Sequence, residues 1–380
     1  MAGLFSILGL PLDLPVLNLI LPLGISFYTF QSMSYVFDIS RFVTKPADNF
    51  LDFALYVSFF PHLVAGPIMR SGNLDKTIGQ KGLLTQVANT RTYRKGDFQQ
   101  GFYHIVSGLF KKVVIGDNMA VIVNTIFGSD INTLSGLECL AGIYAFAFQI
   151  YADFSGYSSI AQGVAKWMGF DLIFNFKMPY LAKSPQDFWR RWHISLSSWL
   201  RDYVYISFGG NRAGMLRMYR NLMLTMILGG IWHGANWTFL AWGTFHGVIL
   251  SAYRFLGNNE TQPVKKYSPL SSLWRVLIMF HLTCIGWLFF RAETIHKAFA
   301  MLVRLTSDFR MTKIGLSILF TVLLYAGPLM IYEVWVEKKK NLLVLNQAHW
   351  SVQTLVYSYI LFMIILFPPP VAHEFIYFQF

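Results

Sequence analysis

Charge is scarce in this chain. Asp, Glu, Lys and Arg make up 13% of its 380 residues, against 54% hydrophobic and 17% aromatic, and the mean hydropathy is +0.45. Soluble domains carry about 25% charged residues. The composition therefore argues against a water-soluble globule and for an all-helical, polytopic membrane protein, read as one integral domain over residues 1–380. Acidic residues are scarcer still. There are 19 Asp and Glu against 31 Lys and Arg, for a formal net charge of +12. In a soluble chain that excess would suggest a nucleic-acid partner. Here the cations fall between apolar runs, as suits cytoplasmic loops and anionic headgroups. The expected partner is the lipid bilayer and not nucleic acid.

Other absences narrow the chemistry. The two cysteines, Cys139 and Cys284, lie in apolar runs, which leaves no disulfide framework or thiolate site. No basic region precedes the N-terminal apolar stretch, so no secretory signal is expected. There is no G-x-S-x-G of a serine hydrolase. The Gly209-Gly210-Asn211-Arg212 turn has neither the preceding strand nor the following Lys-Ser/Thr of a phosphate loop. The histidines lack ligand spacing and a carboxylate or thiol partner, so no metal is expected. Tandem repeats are absent, which counts against a transporter built from paired halves.

What is present centres on Asp187 to Gly247. Its first part reads as one amphipathic helix. Trp189, Trp192, Leu196, Trp199 and Tyr203 form a stripe, and Arg190, His193, Ser197 and Arg201 lie opposite. That pattern suits a helix at a membrane interface, with rings at headgroup level and cations in water. Its second part carries no charged residue from Asn221 to Tyr253, longer than the ~20 residues needed to span a bilayer. It reads as one long tilted helix, or as two segments broken near Gly229-Gly230 or Gly243. His233, Asn236 and His246 sit inside it, and polar groups in such runs face a protein interior or a wet cavity. On a continuous helix Asn236 and Trp237 share a face with His233. A lone membrane histidine also serves as a packing or hydrogen-bonding residue, and spacing alone leaves both readings open.

FWRRWHISLSSWLRDYVYISFGGNR (188–212) followed by GGIWHGANWTFLAWGTFHG (229–247) resembles the signature of the membrane-bound O-acyltransferase superfamily. The branch it is most similar to holds the bacterial alginate O-acetylation and teichoic acid D-alanine transfer membrane proteins. The resemblance implies a helical bundle with interfacial and re-entrant helices around a central cavity, in a bacterial inner membrane. It places the catalytic histidine on His233 and the second characteristic polar residue on His193. It also implies an acyl-CoA, acetyl-CoA above all, as co-substrate with no tightly bound cofactor. Acyl transfer would run from the cytoplasm towards an extracytoplasmic polysaccharide such as alginate, with a periplasmic acetyltransferase partner finishing the reaction. Several N-terminal helices of the family are expected to be missing, through either a true short form or a misplaced start.

The rest of the chain is read in order. Met1 to Leu12 is apolar. Leu14 to Phe37 is long enough to span, with a kink expected at Pro22 and Gly24. FALYVSFFPHLVAGPIM (53–69) is broken by Pro61, Gly66 and Pro67, as in a re-entrant segment, and resembles a family element. His62 within it reads as structural or cavity-lining. Ser71 to Asp97 is a polar loop, and Phe98 to Phe127 one helix with Lys111-Lys112 in its middle. Leu137 to Ala152 is a span, with Asp153 of DFSGYS favoured as the cap of a separate helix from Ser158 to Phe170. Ser184-Pro185-x-Asp187 is a helix start. Arg254 to Arg275 reads as a loop, Val276 to Phe290 as a short span containing a packed His281, and Ile314 to Tyr332 as a span. Glu337 with Lys338–Lys340 reads as a charged loop, and Val352 to Phe367 as a last span stopped by Pro368–Pro370.

O-acyl transfer needs a hydroxyl made nucleophilic beside a thioester carbonyl. A histidine with pKa of ~6.5 can take the hydroxyl proton and return it to the leaving thiolate. His233 is the expected base. His193 is expected to polarise the carbonyl, orient the acceptor or share the proton transfer. Trp232, Asn236 and Trp237 would shape the pocket, and Arg190, Arg191 and Arg201 would attract a phosphate-bearing donor or anionic sugar. Snorkelling to headgroups is the competing reading for each arginine. The alternatives to an enzyme are a non-catalytic transporter or export subunit, and an inactive truncated family member.

Overall fold

A computed structural model describes Pro22 and residues 24–72, 82–212, 214–257, 268–370 and 374–376. Every regular element among them is helical. The apolar run Met1 to Leu12 lies outside the described residues, as does the start of the span expected from Leu14.

The centre of the molecule is α6, Gly136–Trp167, and the elements before it wrap one side. Helix α1 spans Ile25–Ser40 and is entered through Gly24 at φ 75°, where a Cβ would meet the Leu63 carbonyl at 2.1 Å. Helix α2 is Phe50–Ser58, capped by the Asn49 side chain on Asp52 N–H. A single 3-10 turn, Phe60–His62, leads into extended chain, so the segment is broken as Pro61 and Gly66 require. Residues 73–81 lie outside the description, but the loop after Ser71 is not wholly polar. Short helix α3, Leu83–Ala88, buries Leu83 and Leu84 in a small core with Tyr56, Phe59 and Phe170.

Helix α4, Asp97–Leu109, passes through a π-turn, Phe110–Gly116, into α5, Asp117–Gly128. Helix α6 begins with a capping box, in which Ser135 Oγ accepts Glu138 N–H at 3.2 Å and the Glu138 carboxylate accepts Ser135 N–H at 2.9 Å. It then runs unbroken through Asp153, correcting the expectation of two helices with Asp153 as a cap. The carboxylate is buried in mid-helix. It pairs with Lys112 at 2.7 Å and accepts the Ile376 N–H at 2.6 Å. A buried carboxylate is tolerated when so partnered. Helices α4 and α6 pack antiparallel with backbones nearly touching. A Cβ on Gly163 would lie 2.5 Å from the Gly101 carbonyl, and one on Gly108 would lie 2.6 Å from that of Gly156.

The stretch read as one helix from Asp187 is two. Helix α7 is Pro185–Trp189, capped by Ser184 as its sequence signals. The chain turns at His193, φ 42°, into α8, Ile194–Leu200, with a π-turn over Arg201–Tyr205. The aromatic stripe does not sit at headgroup level. Trp192, Leu196, Trp199 and Tyr203 are buried in the protein core.

The long uncharged run is a helical hairpin, α9 Met215–His233 and α10 Trp237–Phe255. Neither expected break is used. Gly230 and Gly243 are where the two helices touch, because a Cβ on Gly230 would lie 2.4 Å from the Phe239 carbonyl and one on Gly243 2.4 Å from that of Met226. The break falls at residues 234–236, where Asn236 Oδ1 accepts Thr238 N–H at 3.2 Å and starts α10.

Helices α11 Pro269–Arg291, α12 Ile295–Ser307, α13 Lys313–Lys339 and α14 Trp350–Leu366 complete the fold. Helix α11 begins six residues before Arg275, so part of the expected loop is helical. Glu337 lies inside α13 and not in a loop. Helix α12 was not expected from the sequence. Helices α11 and α13 are long and apolar enough to cross a membrane, with mean hydropathies of 1.7 and 2.1, and α14 is a shorter apolar helix. Their outward residues include Leu273, Ile278, Phe320, Leu323, Ile331, Leu355 and Ile365, all exposed. Apolar surface on that scale is foreign to a soluble monomer.

Candidate active site

His233 is the last residue of α9. Its half-buried ring is surrounded by Trp232, Phe290 and Trp242, with centroids at 4.7, 4.8 and 5.1 Å. Because α9 ends here, Asn236 and Trp237 do not share its face. Asn236 is an exposed helix cap, and Trp237 is 60% exposed. Both line an open surface groove with Glu293 and His296.

His193 occupies the turn between α7 and α8 and is buried, not on a wet face. Its ring lies between Phe154, edge-on at 4.6 Å, and Phe27, stacked at 6.2 Å. Nδ1 lies 3.2 Å from Asn175 Oδ1. Nε2 has no protein partner among the described residues. Burial, and after it the charge of His233, hold this imidazole well below its usual range, so it is neutral at neutral pH.

The two histidines stand at the ends of one chain of aromatic contacts, stacked at the first and edge-on at the other two. From His193 the contact passes to Phe27 at 6.2 Å, from Phe27 to Trp232 at 6.2 Å, and from Trp232 to His233 at 4.7 Å. The structure thus brings His193, Trp232 and His233 together from α9 and the α7–α8 turn, and α1 supplies the ring between them. The arginines are placed differently. Arg191 bridges α7 and α13, pairing with Asp187 at 2.7 Å and with both Glu337 oxygens at 2.9 and 3.0 Å. Arg201 is exposed and pairs with Asp202 at 2.6 Å, and Arg190 is exposed.

The remaining histidines have plainer settings. His62 Nε2 lies 2.8 Å from the Gln31 amide oxygen and ties the broken segment to α1. His281 Nδ1 donates to the Leu277 carbonyl on its own helix at 2.7 Å, and its Nε2 lies 2.7 Å from the Tyr144 hydroxyl. His246 is wholly buried among Trp189, Trp242 and Phe188. It owes its room to Gly286, whose Cβ would lie 2.7 Å from Nε2.

Sequence reasoning missed one polar feature. Between α4, α6 and α13 lies a cavity of about 200 Å³ lined by Lys111, His104, Tyr151, Glu333, Ser155 and Asn175 among others. Lys111 Nζ donates to Ser159 Oγ at 3.0 Å, and the Tyr151 hydroxyl donates to Glu333. The π-turn aims Lys111 into this space while Lys112 turns to Asp153 and Asp117. The available signals were a double lysine inside an apolar helix and an acidic residue inside an apolar run. Asn175 belongs both to the cavity wall and to the His193 ring.

The family pattern that matches this chain is that of the membrane-bound O-acyltransferase family, over residues 40–292, which include both His193 and His233. Among curated proteins, the "Probable alginate O-acetylase" of Pseudomonas putida is 45% identical over 284 residues, 75% of this chain and 55% of that protein. The protein of that name from Pseudomonas aeruginosa is also 45% identical, over 75% of this chain and 51% of its own length. The peptidoglycan O-acetyltransferase of Helicobacter pylori is 39% identical over 75% of this chain and 57% of its own length. The chain thus spans about half the length of the curated relatives it matches.

Proposed function

The chain belongs to the membrane-bound O-acyltransferase family, and on that premise we propose that it is a multi-pass O-acetyltransferase of a bacterial inner membrane. It takes acetyl groups from a cytoplasmic acyl-CoA and passes them towards an extracytoplasmic, alginate-like polysaccharide, with an extracytoplasmic acetyltransferase as partner. The names of the relatives support the acceptor class. Support for the site comes from one observation above all. Two imidazoles distant in sequence flank a single edge-on Phe27–Trp232 pair, beside helices with apolar outer faces.

In this reading His233 is the base. The acceptor hydroxyl oxygen attacks the thioester carbonyl carbon, the ester C–O bond forms and the C–S bond breaks. The hydroxyl proton passes to His233 and from there to the departing thiolate. Trp232 walls the site between the two histidines. Exposed Arg190 and Arg201 attract the donor's phosphates, whereas Arg191 serves as the α7–α13 clamp. The helical bundle around the Lys111–Glu333 cavity forms the polytopic body.

Replacing His233 with Ala tests the reading. O-acetyl content of the cell's polysaccharide, measured at matched membrane levels of the protein, should fall by a factor on the order of 10²–10⁴. Wild-type acetylation in that variant would reject the proposal.

A further inference from the structure

Asn175 lies at a bend in the irregular chain between α6 and α7, and it holds His193 from two sides. Its backbone carbonyl accepts the Ile194 N–H at 2.9 Å. Its side-chain Oδ1 accepts the Ser195 N–H at 3.2 Å and the Ser195 hydroxyl at 2.9 Å. Together these bonds pin the chain just after His193, whose own backbone is left-handed at φ 42° and ψ 54°. A residue other than glycine in that conformation is strained, so it persists only where neighbouring contacts hold it.

The same contacts decide which ring nitrogen carries the proton. A backbone N–H can only donate, so the Asn175 atom that meets Ser195 N–H is the amide oxygen and not the amino group. That oxygen is also the atom 3.2 Å from His193 Nδ1. An amide oxygen can only accept, so Nδ1 bears the hydrogen. A neutral imidazole has one N–H, and its lone pair is therefore on Nε2, which is buried without a protein partner among the described residues.

We infer that Asn175 is the positioning residue of His193, holding it as the Nδ1–H tautomer with the Nε2 lone pair presented to the reaction. This rests on the reading of His193 as part of the acyl-transfer site, and it chooses among the roles open to that residue. A nitrogen with a lone pair and no hydrogen cannot polarise an acyl carbonyl. It accepts the O–H of a hydroxyl neighbouring the attacking one on the sugar, which orients the acceptor while the attacking hydroxyl gives its own proton to His233. Ser195 shares the same amide oxygen, so the tautomer, the turn and the start of α8 are set by one side chain.

The test has a spectroscopic and a kinetic arm. In the full chain, ¹⁵N-histidine-labelled and reconstituted in bilayers, the His193 signals are identified by their loss in His193→Gln. Nδ1 should show the protonated shift and Nε2 the unprotonated one. A protonated Nε2 with bare Nδ1 overturns the inference. In the kinetic arm, Asn175→Leu removes the acceptor and should lower kcat on the order of 100-fold with KM little changed. Asn175→Asp keeps the acceptor and adds a negative charge, which favours the imidazolium. It should keep much of the activity at high pH while its acid limb moves up by about one unit or more. An unmoved pH profile, with activity in both variants merely following the amount of folded protein, also overturns it. The two failures are separable, because the tautomer reports on Asn175 whether or not acetyl transfer occurs, and the His233→Ala assay reports on transfer whatever the tautomer.

Discussion

Arg70 and Asp202 are 132 residues apart in sequence and 2.6 Å apart in space. Arg70 also lies over the Tyr203 ring at 5.2 Å, and the Tyr203 hydroxyl donates to both Asp38 oxygens at 2.8 Å. Four side chains, Asp38, Arg70, Asp202 and Tyr203, thereby join α1, the chain after α2 and the π-turn after α8. Burial alone would raise the Asp202 carboxyl, but Arg201 and Arg70 outweigh it and hold the group below the usual carboxylate range. A depressed pKa stabilises the fold above the unfolded value of ~3.9 and ceases to do so as pH falls through the folded value. Asp202→Asn should therefore cost about 1.5–3 kcal/mol at neutral pH, with the deficit shrinking as pH falls below ~4. Thermal unfolding in detergent across that range checks this, and a deficit independent of pH would contradict it. None of this network was legible in the sequence, where Arg70 and Asp202 sit in unrelated segments.

At the scale of elements, uncharged runs bounded by charge or proline were easy to read. Helix α14 ends at Leu366, just before Pro368–Pro370, and α11 ends at Arg291, as its charge signals. The breaks inside apolar stretches were not legible. The aromatic positions from Trp189 to Tyr203 keep helical spacing straight through the turn at His193, so periodicity alone sees one helix. Only the hydrogen bonds from Asn175 show why the chain turns there. Helix α6 failed in the opposite sense. Asp153 looked like a boundary because its partners, Lys112 and Ile376, come from elsewhere in the chain. The α9–α10 hairpin shows a third case, in which glycines that look like breaks are contact points. Gly243→Val should force the two backbones apart and cost about 1–3 kcal/mol, lowering both the yield of folded protein and its Tm. An exposed position such as Val248→Ala on the same helix should leave both nearly unchanged, and equal effects at the two positions would count against tight hairpin packing.

Among the described residues the molecule keeps an apolar core but is apolar on its outside as well. Its outer helices present apolar side chains, while Lys111, Glu333 and Asp153 lie inside. Trp274 on α11 and Trp350 on α14 are 59% and 71% exposed, whereas Trp287 and Trp192 are 1% and 3% exposed. In vesicles containing brominated lipids, tryptophan emission should be partly quenched. Trp274→Phe with Trp350→Phe should remove much of the quenchable share, and Trp287→Phe should not. Quenching unaffected by the outer pair would mean that these faces do not meet lipid.

The sequence by itself determined that the chain is helical and apolar and where most long helices run, and its signature strings carried the family resemblance. Those properties are local, since hydropathy sums over neighbours along a run and a signature is a string. Only the tertiary structure decided where apolar stretches break, which arginines are already paired, and that a polar cavity backs the His193 turn. Each of these depends on a buried polar group finding its partner, and the partners lie 18 residues away for His193 and Asn175 and 223 away for Asp153 and Ile376. A buried donor or acceptor must be satisfied somewhere, but the rule does not say by which residue, and that choice is made by the packing of helices.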